Sequence, residues 1–138
     1  MEPDAETMCL EIPAQPALVG IARNVVVAVA QSSAAADPER LEDLRLAVSE
    51  ACTTAVEGQR PAGDGDREGG RVTLRCLEGP GRLALTVEYA GGLDDVVDAP
   101  ERAWSLPLME ALVDHVEITD DAGTGRTTIR LVLTDLSR

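Results

Sequence analysis

Residues 37–58 contain the strongest structural signal in this sequence, an amphipathic helix with a recognisable start and end. Asp37 is suited to cap the helix, Pro38 fits its first turn, and Gly58 is suited to end it. Apolar residues between these ends recur at spacings of three and four, which makes one apolar face: Leu41, Leu44, Ala47, Val48, Ala51, Cys52 and Ala55. The segment is therefore predicted to be a helix that packs on the core of the fold.

Two polar residues stand beside the apolar face of this helix. Glu50 and Thr54 are four positions apart, so their side chains point to the same side. A carboxylate and a short hydroxyl that face one way are able to line a site. A solvated glutamate and an ordinary helical threonine explain the same spacing, because such residues are common on helix surfaces. The spacing alone leaves both interpretations open.

Composition narrows the class of protein and the kinds of partner. A chain of 138 residues with an apolar fraction of 44% is expected to form one globular domain over residues 1–138. The formal net charge of −13 argues against nucleic acid or an anionic membrane as a direct partner and favours a protein with a basic face. Three separated cysteines and one histidine predict neither a metal site nor a disulfide framework, and residues 1–7 lack a secretory signal. A cytoplasmic location is expected.

The rest of the chain alternates between strand and helix signals. Two runs, residues 72–77 and 83–88, have the period-two pattern of strands and are separated by a Gly79-Pro80-Gly81 turn. In the second run this pattern places Leu83, Leu85 and Val87 on one buried face. Residues 1–7 and 59–70 are expected to be flexible. The remaining predicted elements are a strand at 8–12, helices at 17–33 and 106–113, and strands at 116–119 and 127–133.

The central helix resembles a motif of a known family. Residues 46–56, with the sequence LAVSEACTTAV, are similar to the N-box helix of the anti-sigma-factor serine kinases, which belong to the histidine-kinase-like (GHKL) ATPases. In that family the box reads Glu-x-x-x-Asn; the Glu is the catalytic base and the Asn holds Mg²⁺. Glu50 matches the base, whereas Thr54 stands where the Asn is expected. The resemblance extends over residues 9–133 and implies an α+β Bergerat-type, two-layer sandwich, with a mixed, mostly antiparallel sheet on about three helices.

The resemblance also implies a nucleotide site, although this chain differs at its boxes. In the family's G1 box, Asp-x-Gly-x-Gly, the Asp binds adenine. Glu88 stands in place of that Asp, Ala90 in place of the first Gly, and Gly92 is retained. The glycines that end the family's ATP lid are replaced by residues 103–106, AWSL, and bulky side chains there oppose a phosphate cradle. Thr127 matches the family's phosphate-contacting threonine.

Three functions are compatible with this resemblance. The altered boxes favour an anti-sigma factor that sequesters an alternative sigma factor, is released by an anti-anti-sigma antagonist of the STAS type, and has lost kinase activity and the need for a cofactor. The alternative is an active serine kinase for that antagonist, in which Glu50 is the base that takes the serine proton, Thr54 binds Mg²⁺, and Glu88 binds the adenine of ATP or ADP. A third possibility is a GHKL-like domain that serves another regulatory partner, since fold does not determine function.

Arg23 is the residue that the resemblance assigns to partner binding. It lies off the apolar stripe of the predicted first helix, where a solvated surface arginine is the simplest interpretation. In the family, an arginine at this place contacts both the sigma factor and its antagonist. The family also implies a homodimer formed through the first strand and the first helix.

Overall fold

The computed structural model describes residues 5–33, 37–58, 70–90, 105–121 and 123–135. The elements in these ranges follow the predicted order of strands and helices. A short 3-10 helix, Pro16–Leu18, precedes the first long helix. The other elements are β1 (Ala5–Pro13), α1 (Val19–Ser33), α2 (Pro38–Gly58), β2 (Arg71–Gly79), β3 (Arg82–Ala90), α3 (Ser105–Leu112), β4 (His115–Asp121) and β5 (Arg126–Thr134).

The strands form one sheet in the order β1-β2-β3-β5-β4, with the helices packed on one of its faces. This arrangement confirms the predicted two-layer α+β sandwich. Every described strand pair is antiparallel, so the mixed character that was expected of the sheet is not seen among the described strands. β1 and β4 form the two edges, and β3 runs through the centre.

The core lies between α2 and the central strands. The apolar face predicted for α2 is buried, with Leu44, Val48 and Cys52 fully inaccessible to solvent. Alternate residues of β3 point toward this helix because successive strand side chains face opposite sides of a sheet; they are Leu83, Leu85, Val87 and Tyr89, all fully buried. Burial raises the pKa of the Cys52 thiol to about 12, so this side chain stays protonated and serves as a packing group.

The predicted cap at the start of α2 and the predicted turn between β2 and β3 are confirmed. A side-chain oxygen of Asp37 accepts a hydrogen bond from the backbone N–H of Glu39 at 3.0 Å, which caps the start of α2. Gly79 pairs with Arg82 across the turn between β2 and β3. Gly81 in that turn has a φ of 66°, a left-handed value that glycine adopts without steric cost.

Several boundaries differ from those predicted. β1 begins at Ala5, three residues before the predicted strand, and Ala5 and Glu6 lie opposite Glu78 and Leu77 of β2. Residues 1–4 and 59–69 lie outside the described ranges. α1 is helical in spite of its β-prone valine run, because helical spacing buries Val26 and Val27. No helix within the described ranges is long and apolar enough to cross a membrane.

Arg40, in the first turn of α2, connects the helical layer to the sheet through contacts with Asp114 and with Thr134 at the end of β5. Its guanidinium lies 2.5 Å from a carboxylate oxygen of Asp114 and donates to the Thr134 carbonyl at 3.0 Å. The same Asp114 oxygen accepts from the Thr134 N–H at 2.7 Å. Partial burial pushes the pKa of Asp114 upward, but the Thr134 N–H and the Arg40 guanidinium outweigh that effect and lower the pKa below its ordinary value.

Candidate functional site

The structure keeps Glu50 and Thr54 on the same side of α2. The helix is continuous from Pro38 to Gly58, so the four-residue spacing holds. Glu50 is half-buried, whereas Thr54 is only 5% exposed. A carboxylate is thus accessible at this level of the helix, and the hydroxyl that stands in place of the family's metal-binding Asn is enclosed.

Glu88 does not join these two residues. The alternation of β3 sends Leu85, Val87 and Tyr89 into the helix-facing core, so Glu88 lies on the opposite, open face of the sheet. The expectation that Glu88 takes the place of an adenine-binding carboxylate therefore meets a geometric obstacle. The residue at the end of β3 that faces α2 is Tyr89, and it is fully buried.

The remaining residues assigned to the nucleotide site also fail to gather on one face of the sheet. Thr127 lies directly opposite Tyr89 in the sheet and is fully buried on the helix-facing side. Ala90 ends β3, while Gly92 and the lid at residues 93–104 lie outside the described ranges. The assigned positions are therefore spread over both faces of the sheet.

Among the described residues, the assigned positions do not come together as a donor set for ATP and Mg²⁺. Two threonines that would have to meet the nucleotide are almost completely enclosed, and the carboxylate assigned to adenine faces away from them. In the part of the chain that the structure describes, no three His, Cys, Asp or Glu side chains are grouped to hold a metal ion.

An open groove lies instead between α1 and α2, with Arg23 in its wall. Its volume is about 340 Å³, and Arg23 faces Ser49 and Thr53 across it. The other lining residues are Pro16, Val19, Gly20, Val56 and Glu57. The groove thus combines one cationic group with small polar and apolar side chains, which suits the insertion of a side chain from another protein.

Arg23 is only weakly engaged by its surroundings. One of its terminal nitrogens donates to the Ser49 hydroxyl at 3.4 Å, near the upper limit for a hydrogen bond. Ser49 in turn donates to the Arg45 carbonyl at 2.9 Å. The Nε–H of Arg23 is buried without a hydrogen-bond partner among the described residues. A buried donor without an acceptor costs about 1–3 kcal/mol, so this side chain gains from an acceptor supplied by a partner.

The sequence contains patterns for two features that the sequence analysis did not predict, namely the α2 wall of the groove and the directions in which Glu88 and Tyr89 face. The α2 wall of the groove is formed by Ser49, Thr53 and Val56, whose spacing of four and three marks a second stripe beside the core stripe. The alternation that buries Leu85 and Val87 also predicts that Tyr89 faces inward and Glu88 outward.

Comparisons with known proteins agree with the fold and cover most of the chain. Residues 12–133 match the family described as histidine kinase-like ATPase domain. Serine-protein kinase RsbW of Bacillus pumilus (strain SAFR-032) is 36% identical over 130 residues, which cover 83% of this chain and 78% of that protein. Serine-protein kinase RsbW of Bacillus subtilis (strain 168) is 31% identical over 139 residues, 89% of this chain and 84% of that protein. The chain belongs to the histidine kinase-like ATPase domain family.

Proposed function

We propose that this chain is an anti-sigma factor that acts by binding protein partners and has lost kinase activity. The similarity to proteins named serine-protein kinase RsbW supports the partner-switching class. The observation that carries the loss of kinase chemistry is the position of Glu88, on the sheet face opposite to Glu50 and Thr54. A cytoplasmic location follows from the proposal, because RNA polymerase and its sigma factors work there.

The loss of kinase activity follows from what phosphoryl transfer requires. That reaction depends on the positioning of the phosphates and on Mg²⁺, which neutralises the charge that develops. Thr54 offers a single enclosed hydroxyl where the family has an amide, and Glu88 is turned away from the helical layer. Glu50 alone matches the family's base, and a base that takes a serine proton promotes no transfer unless a phosphate is positioned for attack.

The proposed mechanism is steric. A sigma factor that binds over the α1–α2 groove places an acceptor group at Arg23 and is kept from RNA polymerase. The antagonist, a STAS-type protein, competes for an overlapping surface and releases the sigma factor. The net charge of −13 speeds the approach of a basic sigma-factor surface, although it specifies no particular partner.

We also propose that the chain forms a homodimer through β1 and α1. β1 is an edge strand of the sheet, so its outer backbone groups are free to pair with another strand. Ile21 on α1 is 53% exposed, which leaves apolar surface for a second copy to cover. Sedimentation equilibrium of the purified chain checks this point, and a monomer at micromolar concentration contradicts it.

The anti-sigma function is tested with the purified sigma factors and STAS-type proteins of the source organism. Arg23→Glu is expected to weaken binding of the cognate sigma factor by at least about thirtyfold, as expected for a central interface residue. Arg45→Glu is the matched control, because Arg45 is a partly exposed arginine of α2 that pairs with Glu42 at 3.5 Å. Equal effects of the two variants remove Arg23 from the interface. If no sigma factor binds, the domain serves another regulatory partner.

An active kinase is the second candidate, because the relatives are named serine kinases and Glu50 shares a side of α2 with Thr54. Incubation of the chain with labelled ATP, Mg²⁺ and the antagonist separates the two proposals. Phosphate on the antagonist supports the kinase. Thr54→Asn, which restores the family's residue, then increases the signal only if the rest of the site is intact.

A further inference from the structure

The α2 wall of the α1–α2 groove continues beyond the groove to an exposed leucine. Ser49, Thr53 and Val56 line the groove at spacings of four and three, and Leu46 lies three positions before Ser49. Residues at these spacings lie above one another on a helix, so the four form one stripe along α2. Leu46 is 49% exposed, more than any other large apolar residue of α2. The surface available to a partner therefore extends past the groove at this end and is apolar there.

Arg23 supplies a cationic point one turn further along this stripe. One of its terminal nitrogens lies 3.4 Å from the Ser49 hydroxyl, so the guanidinium reaches α2 at the level of Ser49. Arg23 is also the only charged residue of α1. Because a helix rises about 1.5 Å per residue, this level is about 4.5 Å from that of Leu46 along the axis of α2. The apolar point and the cationic point are thus one helical turn apart.

Glu57 supplies an anionic point at the opposite end of the groove. It is exposed, lines the groove and lies eight residues after Ser49, which is about 12 Å along the axis of α2. Two other acids of α2 are placed differently: Glu42 pairs with Arg45 at 3.5 Å, and Glu50 does not line the groove. The lining of the groove therefore carries one cationic and one anionic side chain, about two helical turns apart.

The three points follow a fixed order along α2. From the start of the helix they are apolar, cationic and anionic, and they are supplied by Leu46, Arg23 and Glu57. The first two are about 4.5 Å apart and the last two about 12 Å apart. Because the order and the spacing are both asymmetric, a ligand with complementary groups fits in one orientation and does not fit when it is turned end to end.

The charges determine which polar groups of a ligand fit at each point. The buried Nε–H of Arg23 lacks an acceptor among the described residues, so a carboxylate fits there and pairs with the guanidinium. An acid at the Glu57 end would be repelled, so a base is favoured at that end. The α1 wall leaves room for an incoming side chain, because Gly20 has no side chain and a Cβ at this position would lie 3.6 Å from the Arg23 guanidinium. The complementary ligand carries an apolar group, an acid and a base, in that order.

We propose that this surface selects an amphipathic helix of a protein partner by three points: an apolar residue on Leu46, an acid at Arg23 and a base at Glu57. The proposal rests on the proposed function, in which the α1–α2 groove is the partner-binding surface, and it adds Leu46 and Glu57 as the residues that determine specificity. A helix fits because the groove between two packed helices accepts the side-chain ridge of a third. Groups one turn and about three turns from the first lie on the same face of such a helix.

The probes are dye-labelled, stapled helical peptides, and their binding to the full chain is followed by fluorescence anisotropy. Each peptide carries a leucine, a glutamate one turn away and a lysine two turns beyond the glutamate. The pattern is made in both chain directions, so that either polarity of the bound helix is represented. One of the two is expected to bind about tenfold more tightly than the same peptide with glutamate and lysine exchanged, because the exchange replaces two attractive charge pairs with two repulsive ones.

Variants of the chain assign the selection to the two added residues. Leu46→Gln is expected to weaken binding of the preferred peptide about fivefold, because half-exposed apolar surface is no longer covered by an apolar contact. Leu108→Gln is the matched control, since Leu108 is 44% exposed on α3, and it should leave the affinity nearly unchanged. Glu57→Lys is expected to abolish the preference between the two charge orders, whereas Glu110→Lys, the same charge change on α3, should retain it. Far-ultraviolet circular dichroism confirms that each variant is folded.

The comparison of peptides on the wild-type chain needs no variant and is decisive by itself. The proposal is overturned if no peptide binds at millimolar concentration, if both charge orders bind equally, or if Leu46→Gln and Leu108→Gln have equal effects. These results are separate from the test of the proposed function. A chain that binds a sigma factor through Arg23 without reading the charge order retains the anti-sigma function and contradicts this inference. A chain that reads the charge order but binds no sigma factor retains this inference and has another protein partner.

Discussion

Arg40 and Arg23 lie in the same helical layer and have opposite surroundings. Arg40 contacts a carboxylate oxygen of Asp114 and the Thr134 carbonyl, so its positive charge has both an ionic and a hydrogen-bond partner. Arg23 has one long contact of 3.4 Å to Ser49 and a buried Nε–H without a partner among the described residues. The first arginine connects a helix to the end of the sheet, and the second lines an open groove.

The difference shows how one residue type serves stability at one place and binding at another. A paired charge contributes to the folded state, whereas a poorly satisfied donor lowers stability and gains from an incoming acceptor. We therefore expect substitutions near Arg40 to change the free energy of unfolding and substitutions at Arg23 to change partner affinity.

The largest expected effect on stability is that of Asp114→Ala. This change removes the acceptor of both the Thr134 N–H and the Arg40 guanidinium, and it should lower the free energy of unfolding by about 2 kcal/mol. Asp43→Ala is the matched control, because Asp43 lies 3.9 Å from Arg40 and should contribute less than about 0.5 kcal/mol. Urea denaturation followed by circular dichroism measures both. Equal losses would show that Arg40 does not tie α2 to the sheet.

The second expected effect is that the contribution of Asp114 to the free energy of unfolding depends on pH. The pKa of Asp114 is lowered in the folded chain, so its contribution is complete above the ordinary pKa of 3.8 and is lost as the pH falls through the lower folded value. The stability difference between the wild type and Asp114→Asn should therefore shrink as the pH falls below about 4. Urea denaturation at a series of pH values checks this. A difference that grows toward low pH would mean that the pKa of Asp114 is raised.

Arg23→Met should have a smaller effect on stability and one in the opposite direction. Methionine retains much of the aliphatic stem and removes the unsatisfied Nε–H, so the free energy of unfolding should stay unchanged or rise by up to about 1 kcal/mol. The same variant should lose most of its affinity for the partner. A clear loss of stability would show that Arg23 is a structural residue like Arg40.

The smallest effect is expected for Ser49→Ala. The contact between Ser49 and Arg23 is long, and the other bond of Ser49 is a local one to the Arg45 carbonyl, so less than about 0.5 kcal/mol of stability should be lost. Thermal unfolding of Ser49→Ala and of Ser49→Ala combined with Arg23→Met shows whether the two residues are coupled. A large non-additive term would mean that Ser49 holds Arg23 firmly in place.

Local signals in the sequence predicted the parts of the fold that depend on neighbouring residues. The cap at Asp37 and the turn at Gly81 rest on chemistry within a few positions, and both were predicted correctly. The contact between Arg40 and Asp114 spans 74 positions, so it depends on how α2 and the end of the sheet meet in the fold. Such long-range contacts cannot be derived from local pattern.

In the candidate sites, too, features set by neighbouring residues can be predicted from the sequence, whereas features set by strand pairing cannot. Assigning Glu88 by its place in a motif put it in the nucleotide site, while the strand alternation of its neighbours Val87 and Tyr89 puts it on the open face. Arg71 and Arg75 of β2 share the open face of the sheet with Arg126 and Arg130 of β5, on either side of β3, and this grouping depends on which strands are adjacent and in what register. The sequence contains the spacing within each strand and leaves the pairing open.

We propose that this member of the histidine kinase-like ATPase domain family acts through protein binding without nucleotide chemistry. Isothermal titration of the folded chain with ATP and ADP, with and without Mg²⁺, measures whether it binds a nucleotide. We predict no binding heat at millimolar nucleotide, since Thr54 and Thr127 are enclosed and Glu88 lies on the other face of the sheet. Micromolar affinity that depends on Mg²⁺ would instead establish a working nucleotide site and rule out the loss of nucleotide chemistry.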